Sequence, residues 1–165
     1  MKTKSKIIIA VIIILAVIQL PFFTPEKNMT DAKPKHDIGM LDYVDPMANM
    51  DIVMHLIDGC YDCHSNYTEN YPWYYHIQPI SWWMAMHIKN AKKDLNFSEF
   101  TEYTPTQQAK KFEEIEEVMN DHSMPLKPYL LFHKKARLTN QDYQKIAAWA
   151  KQMQVTALAQ SPTQP

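Results

Sequence analysis

Cys60, Cys63 and His64 stand in the order C-x-x-C-H, within Cys60-Tyr61-Asp62-Cys63-His64. This is the spacing of a c-type haem attachment box. Two thiols so placed add across the two vinyl groups of haem as thioethers. The histidine that follows is then held against the iron as proximal ligand. The chain has 2 cysteines, and both are in this box. Two cysteines placed at random would fall at this spacing ahead of a histidine roughly once in two thousand trials. A redox C-x-x-C pair is the competing reading, but such a pair opens a helix after a strand, and no α/β pattern surrounds this one. A disulfide closing so short a loop would restrain the unfolded chain weakly.

A haem iron held by His64 takes its second ligand from a Met or His able to fold over the opposite face. Met124, in Asp121-His122-Ser123-Met124-Pro125-Leu126, is the first choice. It lies 60 residues after His64 (124 − 64), in a non-helical link. Pro125 denies the backbone a helix and biases Met124 towards extended conformation. Thioether sulfur suits haem iron and, opposite a histidine, raises the reduction potential. The bland reading is one gap-filling Met among 11. His87 is the leading rival, followed by His76, His122 and His133, whereas His55 is too close to the box to reach the far face. The dense aromatic run Tyr71, Trp73, Tyr74, Tyr75, Trp82 and Trp83 reads as haem-pocket wall, with phenol and indole groups available to the propionates, or as ordinary core.

These side chains need a scaffold. The 165 residues suit one domain. Only 2 glycines argue against a β-rich fold with many tight turns and for an all-α one. Apolar spacing predicts helices over about 48–58, 79–94, 105–120 and 141–154. Thr104 with Pro105 caps the third, and Thr139 with Asp142 the fourth. Glu113, Glu114, Glu116 and Glu117 form a solvated face. Net charge is −1, so nothing points to nucleic acid.

The N-terminus carries a membrane signal. Lys2, Lys4 and Lys6 precede an apolar run from Ile7 to Ile18; after Gln19 it continues from Leu20 to Phe23. Its length is at the short edge of a spanning helix, and a cleaved secretory signal is the other reading. No A-x-A-like site follows, which favours an uncleaved single-pass transmembrane helix. Lysines kept in the cytoplasm place the rest on the periplasmic side of a bacterial inner membrane. The expected organisation is anchor over 1–23, linker over 24–45, haem-binding domain over 46–155 and flexible tail over 156–165.

Taken together, several stretches resemble the bacterial haem-binding domain proteins. They are Cys60-Tyr61-Asp62-Cys63-His64-Ser65-Asn66, Tyr71-Pro72-Trp73-Tyr74, Ile77-Gln78-Pro79-Ile80-Ser81-Trp82-Trp83, Leu95-Asn96-Phe97-Ser98-Glu99-Phe100 and Met124-Pro125-Leu126. The likeness runs over 51–149 and is more specific than the box alone. It implies one haem c, a cytochrome c-like helical fold around it, and Met124 as distal ligand. His76 departs from the pattern, where an uncharged polar residue is expected.

The resulting expectation is a membrane-anchored monohaem c-type cytochrome that passes single electrons to redox partner proteins. Cys60 and Cys63 are its thioether anchors, and His64 and Met124 its iron ligands. The alternative is a haem sensor or peroxidase-like enzyme with an open distal site and a histidine such as His87 nearby. A third is a haem-free interaction domain on a membrane stalk.

Overall fold

The computed structural model describes residues 3–20, 24–28, 40, 43–45, 49–68 and 71–160. Residues 21–23, 29–39 and 161–165, which carry parts of the expected anchor, linker and tail, lie outside the described residues. The architecture is all-α. The helices are α1 (Thr3–Ile18), α2 (Met50–Gly59), α3 (Tyr61–His64), α4 (Ile80–Asp94), α5 (Pro105–Asn120), α6 (Lys127–Phe132) and α7 (Asn140–Ala159). Tight 3-10 turns at Trp73–His76, Phe97–Glu102 and Lys134–Ala136 join them.

The caps written in the sequence fix where α5 and α7 begin. Thr104 accepts from the Gln107 amide while the Gln107 side chain accepts from the Thr104 amide, and Pro105 takes the first turn. Thr139 and Asp142 make the same reciprocal pair at the start of α7. Helix α7 then runs on to Ala159, into the stretch read as tail, because Ala157 is buried.

Helices α5 and α7 pack along one another, and α2 closes against α7. A chain of edge-to-face rings runs through the core. Phe100 meets Phe112 at 5.0 Å and Phe112 meets Trp149 at 5.6 Å. Ile52, Leu56, Met119 and Ile146 fill the space around them. Such ring pairs add ~0.5–1.5 kcal/mol beyond the area they bury.

The stretch expected to be linker contributes to this core. Met40 and Val44 are buried in it, Tyr43 lies edge-on to Phe100, and its hydroxyl accepts from Gln108. Residues 24–28 are tied to the domain as well. The Tyr75 hydroxyl donates to the carbonyls of Pro25 and Glu26, and Gln78 donates to Thr24.

The expected transmembrane helix is not matched by a helix of spanning length. Among the described residues, no helix is long and apolar enough to cross a membrane. Helix α1 has 16 residues, about 24 Å at ~1.5 Å per residue, against a hydrocarbon core of ~30 Å. Its apolar residues nevertheless cover every side and are exposed, from Ile7 at 59% to Val17 at 44%.

Candidate functional site

The box is built as a change of helical axis. Helix α2 ends at Gly59, and α3 begins at once, with the Cys60 carbonyl accepting from the amides of Cys63 and His64. Gly59 faces the Met124-Pro125 loop, with room for a methyl group and little more. A Cβ there would meet Pro125 Cγ at 3.4 Å and Ala136 Cβ at 3.8 Å. The Met124-Pro125 loop therefore rests directly on the residue before Cys60.

One turn of helix sends the box residues to two sides. Cys60 and His64 line a cavity of about 390 Å³ together with Leu56, Leu95, Ile115 and Met124. Cys63 lines a neighbouring apolar cavity of about 250 Å³ with Tyr74, Trp83, His87, Tyr129 and Phe132. The larger volume falls in the ~300–1,000 Å³ range of small-molecule sites. The α3 turn contributes to both spaces, and a group bonded to both cysteines would be held by this turn.

His64 is set up as a ligand. Its Nδ1 lies 3.0 Å from the Leu95 carbonyl oxygen. A proton on Nδ1 donated there leaves Nε2 with its lone pair, the usual arrangement for a metal-bound imidazole. Burial lowers the His64 pKa and favours that neutral ring, while the Leu95 and Ala91 carbonyls and Asp94 oppose it.

Leu95 is held by a polar clasp between two loops. Asn96 donates to Asn66, Asn66 donates to Glu99, and the Asn66 amide donates to the Ser98 hydroxyl, each at 2.9 Å. Phe97 stacks on Tyr61 at 5.5 Å and sits against His64. The Leu95–Phe100 stretch thus seats the box histidine.

Met124 is delivered by the end of α5. His122 adopts φ 56°, a left-handed conformation that a non-glycine residue takes at a cost of ~1–2 kcal/mol. The reversal lets the Ser123 amide donate to Val118 and the His122 amide to Met119, closing the helix. The His122 ring stacks on Tyr143 at 4.0 Å. The chain turns back there, and Met124, half-buried, reaches the cavity of His64.

Both thiols are free of any disulfide. Burial pushes Cys60 up to about 12, with Cys63 adding to it, and burial followed by Asp62 pushes Cys63 up to about 11. They are therefore protonated at neutral pH. Two free thiols, a neutral imidazole with Nε2 available, a thioether lining the same cavity and the apolar side chains between them form a donor set that fits haem.

The rival histidines separate by position. His55 pairs with Asp142 at 3.3 Å, His122 lies on Tyr143, and His76 is exposed. His87 and His133 line the Cys63 cavity, each with Nδ1 on the carbonyl four residues earlier. In the aromatic run, Tyr74 and Tyr75 are buried, while Trp73 is 71% exposed and Trp82 and Trp83 are each 40% exposed. The Tyr75 hydroxyl is engaged by the N-terminal segment, and that of Tyr71 accepts from the Asn28 amide.

Asn28 was not singled out in the sequence, yet its side chain donates to the Ser65 carbonyl and the Thr68 hydroxyl just after the box. Tyr129 is a second such residue, bonded to Asp58 and Asp62 across α3. Both contacts span more than 35 residues of sequence, and no local pattern announces them.

No curated protein and no solved structure matches the chain. The model of the haem-binding domain family matches residues 13–152, covering the box, the Met124 loop and the helices that carry them, so the chain belongs to that family and is a haem-binding protein.

Proposed function

We propose that the protein is a monohaem c-type cytochrome, held at the periplasmic face of a bacterial inner membrane by its apolar N-terminal helix, that passes single electrons between partner proteins. The observation that carries this reading is the convergence of Cys60, His64 and Met124 on one cavity. When bound, haem supplies a one-electron iron couple whose potential is raised by a thioether opposite histidine.

The chain's own residues do the rest. Cys60 and Cys63 supply neutral thiols for the two thioethers. Leu95 orients His64, and the reversal at His122 and the seat at Gly59 hold Met124 at the same cavity. With His64 and Met124 both holding the iron, no position would be left for substrate, which suits an electron carrier and not an enzyme. The Cys63 side of the turn is walled by apolar and aromatic side chains, which limits the solvent reorganisation that accompanies electron transfer, while Lys93, Asp94, Lys111, Glu114 and Glu117 stand around the His64 cavity.

The membrane role rests on α1, apolar on all sides and exposed along its length. The lysines before Ile7 favour a cytoplasmic start.

A second reading has His87 and His133 in the Cys63 cavity as polar groups beside an open iron site, as in a gas sensor or peroxidase-like enzyme. Two measurements separate the readings. Haem that stays with the chain through a denaturing gel in the wild type, but not in the Cys60→Ala/Cys63→Ala double variant, supports thioether attachment. Survival in the double variant contradicts it. Ready carbon monoxide binding by the reduced wild type would favour the open site.

A further inference from the structure

Helix α4 exposes most of its large apolar side chains, Ile80, Trp82, Trp83 and Met86. Its buried positions are Ser81 and Ile88. Trp82 is 40% exposed and Met86 51%. One helical stripe runs from Trp82 to Met86 to Lys89 to Lys93, in steps of four, three and four residues, all exposed. It passes from aromatic and apolar to basic. Just before the helix, Ile77 is 38% exposed and Trp73 71%.

The position of this stripe relative to α1 gives it meaning. Gln19, the residue that interrupts the apolar run, is paired twice with the backbone of Gln78. Its Oε1 accepts from the Gln78 amide and its Nε2 donates to the Gln78 carbonyl, both at 3.0 Å. Gln78 lies between Ile77 and the start of α4. Two residues further along the chain are clamped as well, Thr24 to Gln78 and Asn28 to Ser65, Thr68 and Lys92. The domain is therefore strapped to the end of the apolar helix by its α4 side.

We propose that the outward face of α4, with Ile77, Trp82 and Met86 at its apolar end and Lys89 and Lys93 at its basic end, lies in the headgroup region of the bilayer that holds α1. This rests on the membrane reading of α1 given above. Three observations favour a lipid surface as the occupant. The face begins where a helix apolar on every side ends. Tryptophan flanked by lysine is the composition of a membrane interface, where the indole sits at the headgroups and the ammonium reaches phosphate. And α1 is some ångströms shorter than the hydrocarbon thickness, which draws the segments flanking a short apolar helix into the interface. The strap then fixes how the haem site is turned relative to the membrane.

The test is hydroxyl-radical footprinting of the full-length holoprotein reconstituted into vesicles of phosphatidylethanolamine and phosphatidylglycerol. Met50 and Met54 on α2, 55% and 47% exposed, are internal controls. Trp82 and Met86 should be oxidised several-fold more slowly than these controls, independently of the protein-to-lipid ratio. In Gln19→Ala the protein should still pellet with the vesicles while the protection of Trp82 and Met86 falls. Equal oxidation of all four residues in protein that pellets overturns the surface and leaves the anchor standing. Protein that does not pellet overturns the anchor, and the surface with it. Protection that grows with protein density assigns the face to a second copy of the chain and overturns the lipid proposal.

Discussion

His64 Nδ1 lies 3.0 Å from the carbonyl oxygen of Leu95, the residue that terminates α4. A backbone group at a helix end thereby sets the tautomer of the box histidine. Because the carbonyl belongs to the main chain, its position depends on the loop that follows, and that loop can be altered one side chain at a time.

Asn96→Ala is the first such change. Asn96 is 3% exposed, donates to Asn66 and accepts from the Ser98 amide. Its loss leaves polar groups without partners, a cost of about 1–3 kcal/mol. Thermal denaturation of the holoprotein should show a lower midpoint with haem content preserved. An unchanged midpoint would remove the clasp from the account of how Leu95 is held.

Gly59 offers a graded test of the contact beneath Met124. Alanine there meets Pro125 at the edge of ordinary packing, while its loss of unfolded-chain freedom favours folding by ~0.4–1 kcal/mol, so Gly59→Ala should be near neutral. Gly59→Val adds two methyl groups to the same contact and should destabilise by about 1–3 kcal/mol. By displacing Pro125 it should also weaken the sulfur–iron absorption band. A valine variant with wild-type stability and spectrum would show that the loop does not depend on this seat.

The thiols give a pH dependence in the haem-free chain. Cys60 and Cys63 are raised from 9.0 to about 12 and about 11 by burial. An acid whose folded-state pKa is raised stabilises the fold below its unfolded value and loses that contribution as pH climbs through the folded value. Stability of the haem-free chain should therefore decline from about pH 9 to about pH 12. Alkylation by iodoacetamide at pH 7 should be slower than in the denatured chain. Rapid labelling of the folded chain at pH 7 would contradict the upward shift of the thiols.

What the sequence disclosed depended on how local the signal was. Thr104-Pro105 and Thr139 with Asp142 announce α5 and α7 because a cap is made within four residues. The box and Met124-Pro125 are legible for the same reason: their chemistry is written in adjacent residues. The seat at Gly59, the clasp of Asn66 with Asn96 and the bonds of Asn28 join residues some 30 to 66 positions apart, and only the folded chain brings them together. Met40 and Val44 look like linker because they close a stretch, 24–45, with prolines, charges and little apolar content, yet both are buried. In α1 the apolar character was plain, whereas its length as a helix was not.

The most direct test of the central claim is the optical spectrum of oxidised wild-type protein beside that of Met124→Ala. If His64 and Met124 hold the iron from opposite sides of one cavity, the wild type shows the weak far-red band of a sulfur–iron bond. The variant should then lose it, keep its haem through denaturation, fall in reduction potential and bind carbon monoxide when reduced. Absence of that band from the wild type, or its survival in Met124→Ala, would contradict the account and make His87 the residue to test next.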